Sequence, residues 1–273
     1  MKTNTDSTTR APWLALAVMI LTSASFATAQ SNQPPVDKEY EAGATLWQQS
    51  SGEYRALAYQ AFALARMRLD QDLRNHRIHQ RRAVIVDLDE TILDNSRYEA
   101  MIVNQHRGYP DGWADWVNRA EAAAVPGAVE FLKYANSRGV RVFYVTNREP
   151  NLKAATTENL KKLGFPEVTE DTFRGSLTTE SESKETRRLA IMAKYRVVLL
   201  MGDDLNDFAK VFEDSKTVES RLAAAERFKA EFGKRFIVLP NAMYGNWELS
   251  IYGYKRMTQA EKAEVRRKLL KAN

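Results

Sequence analysis

The stretch AVIVDLDETILDNS, Ala83 to Ser96, decides the fold. Its first four residues are apolar and mostly β-branched, which suits a strand covered on both faces. The next eight carry Asp87, Asp89, Glu90 and Asp94, so the chain leaves that strand in a cluster of carboxylates. Three similar apolar runs follow: VRVFYV at 140–145, VVLLM at 197–201 and FIVL at 236–239. The spacing of apolar residues between them predicts helices over 127–137, 152–163, 182–194 and 218–232. Thr258 to Glu261, TQAE, is a capping box that opens a last helix running through Leu270. Alternating strands and helices predict an α/β fold, a doubly wound, Rossmann-like parallel sheet.

Upstream, Leu57, Ala58, Ala61, Phe62, Leu64, Ala65, Leu69 and Leu73 recur at helical spacing, which predicts a helix packed on a core. Residues 94–126, rich in polar, aromatic, Gly and Pro side chains, are too long for a plain crossover. Together with residues 40–80 they are expected to form a small helical subdomain.

A chain of 273 residues with 44% hydrophobic content can bury a full core. A charge of +5 on 40 basic and 35 acidic residues is a mild, dispersed imbalance, which argues against a nucleic-acid polymer as partner. Lys2 and Arg10 precede an uncharged run, Ala11 to Ala29, with WLALAVMIL inside it and Ala27-Thr28-Ala29 at its end. This is the pattern of a cleaved secretory signal peptide over 1–29, followed by a polar, Pro-bearing linker over 30–39. The apolar block is shorter than the roughly 20 residues that span a bilayer. No cysteine is present to take a lipid, so no stable membrane anchor is expected. The expectation is a periplasmic or secreted protein, ordered from near Tyr40.

In open α/β sheets, ligands bind beyond the carboxyl ends of the strands. Asp87 and Asp89 end the first strand, Thr146, Asn147 and Arg148 the second, and Asp203, Asp204 and Asp207 follow the third. Residues i and i+2 of an extended segment point the same way, so Asp87 and Asp89 can face one site. Carboxylates with no His or Cys among them are hard oxygen ligands that favour Mg²⁺ over zinc. A site of this kind suits phosphoryl transfer, where positioning and charge neutralisation carry the catalysis. Glu90, Asp94 and Asp204 read as turn and capping carboxylates facing water. Histidines 76 and 79 read as a solvated helix end.

DLDET at 87–91, YVTNR at 144–148, Lys184 at a helix start and GDDLNDF at 202–208 resemble, in order and spacing, the four motifs of haloacid dehalogenase (HAD)-type phosphatases. With LPNAMYGNWE at 239–248, they resemble more narrowly the class C acid phosphatases of the bacterial 5′-nucleotidase family. The resemblance implies a HAD-like phosphatase domain over 40–273, with the helical segments as its cap. It implies Asp87 as nucleophile and Asp89 as general acid and base, with Thr146 and Lys184 holding phosphoryl oxygens. It implies Mg²⁺ bound by Asp87, the main-chain carbonyl of Asp89, and Asp203, with Asp207 supporting that shell or orienting Lys184. Trp113 and Tyr244 match positions where such enzymes stack a base, and Asn147 and Arg148 fall at the substrate side. The implied substrates are small phosphate monoesters, nucleoside monophosphates foremost, and a homodimer is possible by resemblance alone. Two rivals remain open: a sugar-phosphate phosphatase of the same superfamily, or a silent binding or storage protein. The second would be expected to have replaced Asp87, which is present.

Overall fold

In the computed structural model the described residues are 38–178 and 183–271. The expected signal peptide over 1–29, most of the expected linker, and the start of the helix expected from Glu182 lie outside them. The chain begins with α1 (Glu39–Ser50) and α2 (Gly52–Leu73), then enters β1 (Arg82–Val86). A two-residue ribbon, β2 (Leu93–Asp94) and β3 (Ala123–Ala124), brackets α3 (Ser96–Asn104) and α4 (Trp113–Arg119). The body continues through α5 (Ala128–Ser137), β4 (Arg141–Val145), α6 (Lys153–Leu163), β5 (Phe173–Arg174), α7 (Glu185–Met192) and β6 (Arg196–Gly202). It closes with α8 (Lys210–Asp214), α9 (Val218–Arg227), β7 (Phe236–Val238), α10 (Asn246–Ile251) and α11 (Gln259–Leu269).

Five strands form one parallel sheet in the order β5-β4-β1-β6-β7. Each strand shows its alternate side chains to opposite faces, and both faces are covered. Val84 and Val86 of β1 join one core with Phe62 and Leu69 of α2 and Leu132 of α5. Ala83 and Ile85 join the other with Ile191 of α7, Phe208, Phe212 and Phe236. This two-sided burial is why the sequence shows unbroken apolar runs there rather than alternation. Burying Ile85 and its fully covered neighbours contributes on the order of 1.5–3 kcal/mol per large side chain, so the strand cannot slide.

The sheet order places β1 between β4 and β6, with the chain working outward first through β4 and β5, then through β6 and β7. The direction of winding therefore reverses between β1 and β6, and that crevice is where a doubly wound sheet binds its ligand. Of the two segments expected in the helical subdomain, α2 lies in the layer on the sheet, while α1 packs on α3 near the carboxyl ends of the strands. Among the described residues no helix is long and apolar enough to cross a membrane.

Candidate active site

β1 delivers Asp87 to the crevice, and the backbone amide of Asp87 donates to Met201 O of β6 at 2.9 Å, so its position is tied to two strands. β6 ends at Gly202, from which Asp203 and Asp207 reach the same space. Carboxylate oxygens of Asp87, Asp203 and Asp207 all lie within 4.8 Å of one another. The ammonium of Lys184, at the start of α7, bonds to Asp87 and lies 2.6 Å from Asp207 Oδ1. Asp203 is held on both oxygens, by Thr91 Oγ1 at 3.1 Å and Asn241 Nδ2 at 2.8 Å.

The electrostatics of this group are unbalanced. Burial, then the neighbouring Asp207 and Asp89 charges, push Asp87 up to about 7 against the opposing pull of Lys184. Burial chiefly, with Asp207 and Asp87, drives Asp203 far above the ordinary carboxylate range. Asp207 is raised too, first by burial, although Lys184 opposes it. Burial alone would lower Lys184, but the Asp207 and Asp87 carboxylates outweigh it and raise it. Three carboxylates around one ammonium leave two negative charges when ionised. An all-oxygen donor set with that surplus fits a hard divalent cation.

Asp89 turns to a different partner. The guanidinium of Arg148 grips both its oxygens, Nη2 donating to Oδ1 at 2.7 Å and Nε to Oδ2 at 3.3 Å, and Asn95 Nδ2 donates to Oδ1 at 2.8 Å. Arg148 is buried and also donates to Thr156 Oγ1 at 3.2 Å. This two-point grip fixes the carboxylate plane as a single hydrogen bond would not. Thr146, fully buried at the end of β4, accepts the Arg148 amide at 3.1 Å on Oγ1, which leaves its hydroxyl proton free to donate elsewhere. Asn147 is exposed at the rim, where Arg187 bonds to its side chain.

Asp87, Asp89, Asn147, Arg148, Lys184, Asp203 and Asp207 line one cavity of about 950 Å³, and Trp113 and Tyr244 wall it. That volume accommodates a small organic phosphate with its leaving group. Trp113 packs edge-on to Tyr98 at 5.1 Å and lies under the Arg148 guanidinium at 5.3 Å. Trp116 is instead a core residue, its indole N–H donating to Asn95 Oδ1 at 2.9 Å.

Three acids expected to face water divide differently. Asp94 and Asp204 do cap turns: Asp94 Oδ1 accepts Ser96 N at 2.9 Å, and Asp204 Oδ1 accepts Asn206 N at 2.9 Å. Glu90 does not face water. It is fully buried at a left-handed backbone position, φ 56°, accepts Asn95 N at 2.7 Å, and is bonded by the Tyr244 hydroxyl. The cause is the turn after β1, in which Leu93 N returns to Leu88 O at 2.8 Å and folds Glu90 inward. Burial, first, with Asp89 and Asp203, raises its pKa well above the usual range. Asn95, which joins Asp89, Glu90, Trp116 and Arg148, and Asn241, which holds Asp203, are residues of the site that the sequence reading missed. Neither residue type nor spacing marks either of them in the sequence.

Comparison with known proteins is consistent with this geometry. The family model of HAD superfamily, subfamily IIIB (acid phosphatase) matches residues 6–247. The class C acid phosphatase of Bacillus anthracis, solved alone and with tungstate bound, is 40% identical, with a TM-score of 0.82 over 86% of this chain and 98% of that one. The stem 31 kDa glycoprotein of Glycine max is 25% identical over 140 residues, 48% of this chain and 53% of that protein. Haloacid dehalogenase-like hydrolase domain-containing protein 2 of Mus musculus is 41% identical over 83 residues, 30% of this chain and 29% of that one. The chain thus spans about half the length of the first of these two relatives and under a third of the second.

Proposed function

The chain belongs to the acid phosphatases of HAD superfamily subfamily IIIB, and from that premise we propose that it is an exported, Mg²⁺-dependent phosphomonoesterase whose favoured substrates are nucleoside 5′-monophosphates. The observation that carries the reading is the convergence of Asp87, Lys184, Asp203 and Asp207 at the switch point of the sheet, in a cavity walled by aromatic rings. The tungstate in the B. anthracis relative, a tetrahedral oxyanion, supports a phosphoryl site.

In this mechanism a carboxylate oxygen of Asp87 attacks phosphorus in line, forming an aspartyl-phosphate as the bond to the leaving oxygen breaks. Asp89, held in plane by Arg148, gives its proton to that leaving oxygen. It then takes a proton from the water that attacks the aspartyl-phosphate, so inorganic phosphate leaves and Asp87 is restored. Lys184 and the free hydroxyl proton of Thr146 hold phosphoryl oxygens as charge develops on them. Mg²⁺, held by Asp87, Asp203 and the main-chain carbonyl of Asp89 with Asp207 bracing the group, would neutralise the surplus carboxylate charge and polarise a phosphoryl oxygen. Trp113 and Tyr244 offer faces on which any base can stack, which gives nucleotides an affinity that aliphatic phosphates lack. The leader-like run Ala11 to Ala29 supports export.

The test is phosphate release from AMP, glucose 6-phosphate and glycerol phosphate, each with EDTA and with Mg²⁺ restored. The proposal expects EDTA-sensitive release on all three, with the highest kcat/KM for AMP. Release that EDTA leaves intact would overturn the metal assignment, and a preference for glucose 6-phosphate would overturn the substrate class.

A further inference from the structure

Asn95 stands at the N-cap of α3, where an asparagine side chain ordinarily accepts an amide of the first helical turn. Here the side chain accepts none of them, and the main-chain carbonyl alone meets the amides of Tyr98 at 2.8 Å and Glu99 at 3.1 Å. The side chain is committed elsewhere. Its Oδ1 accepts Trp116 Nε1 at 2.9 Å and Arg148 Nη2 at 3.4 Å, while Nδ2 donates to Asp89 Oδ1 at 2.8 Å and Glu90 Oε2 at 3.2 Å. Indole and guanidinium groups donate only, so their meeting on one atom makes it the oxygen and turns the amino group towards the two acids. Glu90 also holds the backbone, Oε1 accepting Asn95 N at 2.7 Å, and the residue is shut off from solvent.

Its effect on Asp89 is unequal between the two carboxylate oxygens. Among the described residues Oδ1 meets three donors: Arg148 Nη2 at 2.7 Å, Asn95 Nδ2 at 2.8 Å and Arg148 Nε at 3.1 Å. Oδ2 meets only the longer arm of that shared Nε hydrogen, at 3.3 Å. An oxygen ringed by three N–H groups has no room for a proton of its own, whereas Oδ2 keeps a lone pair free. We propose that Asn95 is a positioning residue: by filling Oδ1 of Asp89 it leaves Oδ2 as the oxygen that passes the proton to the leaving group. In that step the Oδ2–H bond and the phosphorus–oxygen ester bond break, the proton joins the leaving oxygen, and its electron pair stays on Asp89 beside Arg148. Hydrolysis of the aspartyl-phosphate returns a proton from water to the same oxygen. Trp116 and Glu90 serve this end at one remove, because they hold Asn95 itself. The inference rests on the reading of Asp89 as general acid and names the residue that gives that acid its direction.

The experiment compares two esters that differ in their need for an acid. Glycerol phosphate releases an alkoxide and needs the proton, whereas 4-nitrophenyl phosphate releases a stable phenolate and does not. The quantity read is kcat/KM, which reports the transfer to Asp87 and not the later attack of water. Its ratio between the two esters is taken within one preparation, so the folded fraction cancels. Asn95→Leu, similar in shape and without hydrogen bonds, should lower the ratio of glycerol phosphate to 4-nitrophenyl phosphate about tenfold, the scale of one hydrogen bond to a charged acceptor. Trp116→Phe, which removes the donor to Asn95 Oδ1 from outside the cavity lining, should lower it about threefold, the scale of a neutral hydrogen bond. An asparagine that only supported the fold would lower both esters alike. Equal losses, or none, in Asn95→Leu would overturn the assignment, and if that variant does not fold, an unchanged ratio in Trp116→Phe would do so. Asp89→Asn tests the premise separately: it should lower the same ratio by at least about 10²-fold, and equal losses there would overturn the general acid itself.

Discussion

Gly202→Ala isolates the geometry of the site with one methyl group. Gly202 ends β6 directly beneath Asp207, and a Cβ at that position would lie 2.7 Å from Asp207 Cγ and closer still to its Cβ and Oδ2. Ordinary carbon contacts are about 3.5–4.0 Å, so Asp207 must retreat by about 1 Å. The backbone at Gly202 is not among the left-handed positions, so the effect is space alone. Two bonds are then at stake: Lys184 Nζ to Asp207 Oδ1 at 2.6 Å, and Asp204 N to Asp207 Oδ2 at 3.2 Å. A displacement of about 1 Å in a catalytic constellation costs roughly 10²-fold, or about 2.7 kcal/mol of barrier. Overpacking of this kind costs a further 1–3 kcal/mol or so of stability. The assay is kcat/KM for 4-nitrophenyl phosphate with a denaturant unfolding curve on the same sample. An Asp207→Gly background completes the cycle, since there the methyl has nothing to strike and its added cost should largely vanish. Full activity in Gly202→Ala, or losses that simply add across the cycle, would refute the reasoning.

Two further outcomes follow from the buried acids. Tyr244→Phe keeps the ring face but removes the donor to the fully buried Glu90. It should lower stability by about 1–3 kcal/mol with little change in KM for AMP, whereas Tyr244→Ala should raise that KM several-fold; an unchanged unfolding midpoint in Tyr244→Phe would count against the Glu90 contact. Glu99 rises from 4.5 to about 7 on folding, so the folded state holds its proton more tightly than the unfolded state. Stability from this group is present in full below about pH 4.5 and falls as pH rises to about 7, by about 3 kcal/mol at most. Glu99→Gln should therefore flatten the fall in unfolding free energy between pH 4 and pH 8 relative to the native chain, and an identical fall in both would contradict that burial.

The sheet was legible because burial on both faces writes itself as unbroken apolar runs. Ala83–Val86, 140–145, 197–201 and 236–239 all became strands of the parallel sheet. The fifth strand, Phe173–Arg174, was not, because a two-residue edge strand leaves no run to read. The expected helix over 218–232 stops at Arg227, and Phe228 and Phe232 pack on the second core from a turn that keeps helical spacing without the helix. At the site, strand alternation held for Asp87 and Asp89, which both line the cavity. It could not extend past Asp89, where the return of Leu93 to Leu88 breaks the period of two and buries Glu90. Asn95 and Asn241 were invisible for another reason. Their importance lies in which carboxylates they hold, a property of three-dimensional neighbours and not of spacing.

The central claim is that Asp87 is the attacking group, and Asp87→Asn tests it most directly. The change is isosteric, and it removes a charge from a crowded group of acids, so the fold should persist with an unfolding midpoint at or above that of the native chain. Phosphate release from AMP in the presence of Mg²⁺, measured on native and variant protein side by side, should fall by at least about 10³-fold, because an amide oxygen cannot form and release the phosphoryl bond. Turnover within a few-fold of native by a folded, Mg²⁺-supplied Asp87→Asn protein would contradict the account.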